Sequence, residues 1–234
     1  MKGTKKMELI IIIIAIVAII IIYSMMKMNI KELERIALNP ELNEIAKKYP
    51  RNTEICKSIL EKIGNKTTKI EENENSESTL YIAMQDKILI GNMHESFTRI
   101  QTIAHECLHS VQDRKMLIFN FIYSNIYLIY FVIICILVII KKLPNEMMYS
   151  NILLILSFVY YVVRIFLEND AMIKAQYLAK EYMEEQGSAA KDEIEKAVDG
   201  FNQLNKGCIK GTNCSLFVKI MIKLVIFNAL ALIF

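Results

Sequence analysis

Apolar residues gather in four runs along the chain, Leu9–Met26, Met116–Ile140, Met147–Leu167 and Ser215–Phe234, with two polar segments between them, Lys27–Lys115 and Glu168–Cys214. Each run, at about 17–25 residues, is long enough to cross roughly 30 Å of hydrocarbon as a helix, the one single-segment structure that satisfies its own backbone where lipid cannot. The pattern predicts a mainly α membrane protein with about four transmembrane helices. In chain order it reads as a tail at residues 1–8, a transmembrane helix at 9–26, a polar segment at 27–115, a second transmembrane helix at 116–140, and a hairpin loop at 141–146. A third transmembrane helix at 147–167, a second polar segment at 168–214 and a fourth transmembrane helix at 215–234 complete it.

The first run follows Lys2, Lys5 and Lys6, the outline of a secretory signal. It is longer than a secretory h-region and no A-x-A site follows, so it is expected to stay as an anchor. Only the six residues Lys141–Glu146, KKLPNE, separate the second and third runs. That is enough for the turn of a helical hairpin and nothing more. The hairpin returns the chain to the side it left, so both polar segments are expected to face one compartment. Lysines and arginines flank the membrane on both sides, and charge therefore assigns no orientation. Arg164, Lys219 and Lys223 lie towards the ends of their runs, where long side chains can snorkel to the interface.

Composition agrees with this reading: 54% of residues are hydrophobic and the mean hydropathy is +0.32. The net charge of +3, from 28 basic and 25 acidic residues, offers no basic face for nucleic acid. Seven glycines and three prolines suit long helices better than a turn-rich β protein. The five cysteines, Cys56, Cys107, Cys135, Cys208 and Cys214, are odd in number and scattered, so free thiols are expected rather than a disulfide framework.

In the first polar segment, Thr53–Ile63 reads as a short amphipathic helix, with Ile55, Ile59 and Ile63 on one face and Gly64 as its stop. Glu71–Ser78 reads as a loop. Thr79–Ile90, TLYIAMQDKILI, is the best strand candidate and breaks at Gln85–Asp86 as a hairpin or a bulge would, with Leu80, Ile82, Ile88 and Ile90 on the side facing the motif helix. Ser96 is placed to cap a helix running through Gln112.

That helix carries HECLH, His105 to His109. Residues four apart on a helix share a face about 6 Å apart, so both imidazoles can reach one metal ion while Glu106 points beside them at the attacking water. This is the zincin arrangement: the ion acidifies water and polarises a peptide carbonyl, and the glutamate relays a proton to the leaving amine. Ile100, Ile103, Ala104, Cys107, Leu108 and Val111 form an apolar stripe, and Thr102, His105, His109 and Gln112 an adjacent polar line. Cys107 reads as a packed small hydrophobe.

A catalytic zinc takes three protein ligands and keeps one position open. The chain has three histidines and none follows His109, so the third ligand is His94 or a later carboxylate. Glu146 falls on the wrong side of the membrane. Glu168 is the first acid after the hairpin returns, and helix rise puts it at nearly the depth of His109, so two adjacent helices can bring His105, His109 and Glu168 together. Asp170 is placed to orient a ligand histidine from behind.

HECLHSVQ followed, after a transmembrane hairpin, by ENDAMIKA resembles the bacterial neutral zinc metallopeptidases, the YugP-like membrane proteins, with their HE-x-GH-A-x-Q and E-F-D-A-S-x-x-A patterns. The resemblance extends over nearly the whole chain. It implies a zinc cofactor held by His105, His109 and Glu168, Glu106 as the catalytic acid/base, and a bacterial cell membrane as the location. The sequence departs from the pattern at Leu108, where the family has glycine, and at Asn169 and Met172.

The expected protein is thus a multi-pass membrane zinc metallopeptidase, a hydrolase, with a small zincin-like α+β catalytic region carrying one short sheet or hairpin. Its partners would be a protein or peptide substrate and membrane lipid. The alternative is a catalytically silent metal-binding membrane scaffold. An exposed strand edge binds the main chain of any peptide, so the edge at Tyr81, Ile82 and Ala83 is expected to hold substrate. Tyr177, His94 and Tyr81 are candidate oxyanion donors.

Overall fold

The computed structural model describes residues 2–26, 28–73, 75–76, 78–93 and 96–234, with side chains from residue 6 onward. The elements run α1 (Lys2–Met26), α2 (Ile30–Ala37), α3 (Pro40–Lys47), α4 (Asn52–Lys62), β1 (Lys69–Asn73), β2 (Leu80–Ile82), β3 (Lys87–Gly91), α5 (Arg99–Val111), α6 (Arg114–Ile139), α7 (Glu146–Gln186) and α8 (Lys191–Ile233). They form two compact units: Met1–Lys27, Phe119–Phe166 and Lys210–Phe234 make one, and Met28–Ile118 and Leu167–Ile209 the other.

The first unit holds the apolar stretches. Four helices of the chain, α1 from Lys6, α6, α7 and α8, are long and apolar enough to cross a membrane, as the hydrophobic runs predict for a multi-pass membrane protein. Side chains such as Ile14, Ile129, Ile155 and Phe158 point outward, as lipid-facing positions do. Tyr127, Ile134, Leu153, Leu224 and Phe227 pack inside. Small polar groups tie the helices together: Ser150 Oγ and Asn228 Nδ2 lie 2.9 Å apart, and Ser157 Oγ is 2.9 Å from the Tyr127 hydroxyl. The Lys223 ammonium lies over the buried Tyr127 ring, 4.3 Å from the centroid, where the negative face of the ring is a partner for the charge.

The second unit carries the polar segments. Two short helices precede α4 that the hydrophobic pattern leaves unmarked. Asn29 caps α2 by accepting from the Glu32 N–H, and Asn39 caps α3 by accepting from the Glu41 N–H, with Pro40 at the first turn. The predicted helix at Thr53–Ile63 is α4. It buries Ile55 and Ile59 and stops before Gly64, whose φ of +76° is the left-handed conformation that glycine adopts without strain.

The three-stranded sheet has the order β1-β3-β2. β1 runs parallel to β3, pairing Lys69 with Lys87 through to Asn73 with Gly91, and β2 runs antiparallel to β3, pairing Leu80 with Leu89 and Ile82 with Lys87. Two sequence expectations are corrected here. Glu71–Asn73, read as loop, belongs to β1, whose polar residues escape a strand pattern because most of the strand is exposed. Thr79–Ile90 is a hairpin of two strands, and the turn at residues 83–86 shifts the alternation: Tyr81 faces with Ile88, whereas Leu80, 54% exposed, faces out.

α7 and α8 run unbroken through residues 167 and 214, and the two units divide along them at 166/167 and 209/210. Glycines within α8 serve close packing rather than termination. A Cβ at Gly200 would come within 2.8 Å of Leu42 Cδ1, and one at Gly207 within 2.7 Å of Leu33 Cδ1, so α2 and α3 lie directly on these positions. The core of this unit joins Ile59 of α4, Ile88 of β3, Ile103 of α5, Ala179 of α7 and Phe201 of α8, with the Phe97 and Phe201 rings stacked 5.3 Å apart.

Candidate metal centre

The motif helix is shorter at its start than the sequence predicts. Ser96 does not cap it: its hydroxyl turns to Thr98, and α5 begins at Arg99 with no side-chain cap. Arg99 is buried, and its guanidinium donates to the carbonyls of Ala46, Tyr49 and Pro50 and to Asn52 Oδ1 at 2.6–2.8 Å. It therefore fastens the start of the motif helix to the end of α3. Ile100, Ile103, Ala104 and Cys107 lie on the buried face as expected, and Leu108 is partly buried against the same core. Val111, 46% exposed, is not part of the stripe, because the helix end has already left the core.

His105 and His109 stand one turn apart with Nε2 atoms 3.0 Å from each other and rings at 86°. Glu168 of α7 completes a triangle, its Oε2 3.6 Å from His105 Nε2 and 3.9 Å from His109 Nε2. These three ligand atoms form a group that could hold a metal ion, all within 4.8 Å of one another. His109 is buried, and His105 and Glu168 are partly so. The donor set meets the geometry of a tetrahedral ion: bonds of about 2.0–2.2 Å to nitrogen and oxygen require ligand–ligand edges of roughly 3.3–3.6 Å. Edges of 3.0, 3.6 and 3.9 Å bracket that value, so the three side chains fit such an ion with shifts of a few tenths of an ångström.

Glu106 is buried beside the triangle, with Oε1 3.9 Å from His105 Nε2. Its Oε2 accepts the backbone N–H of Tyr81 at 2.6 Å. That N–H points away from β3, so the outer edge of β2 faces the motif glutamate. The Tyr81 hydroxyl donates to Asp86 Oδ1, and burial together with the Asp86 charge pushes the phenol up to about 12. Ile82 ends β2, whereas Ala83 is not a strand residue as expected and lies in the hairpin turn.

Asp170 does not touch a ligand histidine directly. Gln112 stands between: its Oε1 lies 2.8 Å from His109 Nδ1, and its Nε2 donates to Leu167 O at 2.9 Å and Asp170 Oδ2 at 3.0 Å. The sequence signals for Gln112 are its position three residues after His109, one turn along the same line, and its place as the last residue of HECLHSVQ. Cys107 lies between the two histidines in sequence but points away from them. It is fully buried, its Sγ 3.7 Å from Cys56 Sγ, and the bond to Cys56 and burial push the thiol up, so it stays protonated. All five cysteines are free. His94 lies outside the described residues, and Tyr177 is 66% exposed.

Comparison of the chain with protein-family models, curated proteins and solved structures finds no match in any of the three.

Proposed function

We propose that the protein is a membrane zinc metallopeptidase of the gluzincin type, hydrolysing peptide bonds close to the bilayer surface. The observation that carries this reading is the convergence of His105, His109 and Glu168 from two helices on one point, with the Glu106 carboxylate beside it. The resemblance of HECLHSVQ and ENDAMIKA to the neutral zinc metallopeptidase patterns supports it. Zinc bound by these side chains would acidify a water molecule and polarise the scissile carbonyl. Glu106 takes the proton from that water and passes it to the leaving amine. The Tyr81 N–H holds the Glu106 carboxylate in place for the transfer, and the Tyr81 carbonyl on the same edge of β2 remains as an outward acceptor for the main chain of an extended peptide.

The test uses the purified full-length chain in detergent. Zinc content and cleavage of an unfolded protein substrate are measured for the wild type and for Glu106→Gln. Zinc in both with cleavage only by the wild type is the expected result, the loss in rate being at least about 10²–10⁴-fold. Zinc without cleavage in either would make the chain a silent metal-binding scaffold.

A further inference from the structure

The side chain of Gln112 bonds at three points, and the chemistry of its partners leaves only one arrangement of protons. Leu167 O is a backbone carbonyl and can only accept. Asp170 is a carboxylate, its other oxygen 2.6 Å from the Lys174 ammonium, and it too can only accept. The end of the Gln112 amide that faces both must therefore be the NH₂ group, which has two hydrogens for two acceptors. The amide oxygen is then turned to His109 Nδ1, 2.8 Å away, and an oxygen there demands a proton on that nitrogen. A neutral imidazole carries one N–H, so Nε2 is left with its lone pair, directed to within 3.0 Å of His105 Nε2 and 3.9 Å of Glu168 Oε2.

We propose that Gln112 is a positioning residue that transmits the acceptor character of Asp170 and Leu167 O to His109 and fixes its tautomer with the metal-binding nitrogen free. Through a single side chain it also ties the motif helix to α7 within one turn of Glu168, so both helices that supply ligands are held by one amide. An aspartate alone would orient a histidine by accepting from it directly. Here an amide, a donor at one end and an acceptor at the other, relays that acceptor character unchanged, which lets an acceptor on α7 act on a histidine of α5 across the Gln112 side chain. The consequence for metal binding rests on the metal-site reading; the tautomer does not.

The experiment has two arms on the full-length chain in detergent. In the first, protein labelled with ¹⁵N-histidine and stripped with chelator is studied by NMR at pH 8.5, about two units above an ordinary imidazole pKa, and His109 is assigned by its loss in His109→Gln. The expected spectrum has His109 protonated on Nδ1 and bare at Nε2, with the opposite tautomer appearing in Gln112→Met. Protonation of His109 at Nε2 in the wild type would overturn the proposal.

In the second arm zinc affinity is measured by chelator competition. Gln112→Met is expected to weaken binding by about 10–100-fold. Gln112→Glu alone should weaken it similarly, because the new carboxylate meets Leu167 O and Asp170 with no proton between them. Adding Asp170→Asn turns an NH₂ to the new carboxylate and removes the charge–charge repulsion, leaving only the neutral Leu167 O without a donor, and should restore part of the affinity. Full affinity in Gln112→Met, or no recovery in the double variant, would overturn the proposal. If the wild type binds no zinc while His109 has the stated tautomer, the metal-centre reading fails and the positioning role stands. If Gln112→Met does not fold, the wild-type spectrum and the double variant still decide.

Discussion

Arg99→Met removes the guanidinium that fastens the motif helix to the end of α3 while keeping an unbranched chain of similar length. Four donors at 2.6–2.8 Å are lost, three of them to carbonyls at Ala46, Tyr49 and Pro50. Hydrogen bonds from a charged group contribute about 1.5–3 kcal/mol each, so the gross loss is roughly 6–12 kcal/mol. Against this stands the cost of keeping the charge out of water. Burial lowers the Arg99 pKa, which has the sign that desolvation gives, and the penalty for a buried ion is several kcal/mol. The net loss should resemble that of breaking other buried charged contacts, about 3–5 kcal/mol. For a chain of this size that lowers the melting temperature by roughly 6–20 °C. The measurement is thermal unfolding in detergent with chelator present, since bound metal would add its own stabilisation. Lys48→Met serves as the control: it removes only an ion pair with Glu193 at the surface and should leave the melting temperature within scatter. A melting temperature for Arg99→Met as close to wild type as that of Lys48→Met would refute the view that Arg99 holds the motif helix in place.

Glu168→Ala should sharply reduce zinc retention through gel filtration, whereas Glu181→Ala, which loses only a surface contact with Lys62, should retain it; equal retention in both would move the third ligand elsewhere. Asp86 provides a pH test. Burial opposes its charge, but hydrogen bonds from Thr68, Thr67 and Tyr81 outweigh it and hold the carboxyl below its ordinary 3.8. A lowered folded pKa means that the stabilisation is complete above the unfolded value and is lost as the pH falls through the folded one. Denaturant unfolding at pH 7 and pH 3 should therefore show Asp86→Asn less stable than wild type at pH 7 and closer to it at pH 3; a constant gap would sink the assignment.

The four long apolar helices, α4 and the motif helix were legible in the sequence because each follows from neighbours within a few turns. Hydrophobic length sets a span, and apolar spacing with a following Gly64 sets α4. His105 and His109 share a face through the i, i+4 repeat alone. Even Glu168 was within reach, since a hairpin and a helix rise suffice to estimate its depth. What escaped was everything that depends on a distant partner. β1 is polar and becomes a strand by pairing with β3, and the face of Tyr81 was misread because one turn of the hairpin shifts the alternation. Gly200 and Gly207 mark close packing only once α2 and α3 lie on them. Nothing in the local pattern shows what Arg99 and Gln112 bind, or that the motif glutamate Glu106 accepts from β2: the partners are carbonyls at and just after the end of α3, an acceptor pair on α7, and the Tyr81 N–H. Local spacing determines which residues share a face; only the tertiary fold decides which unpaired donors and acceptors that face will meet.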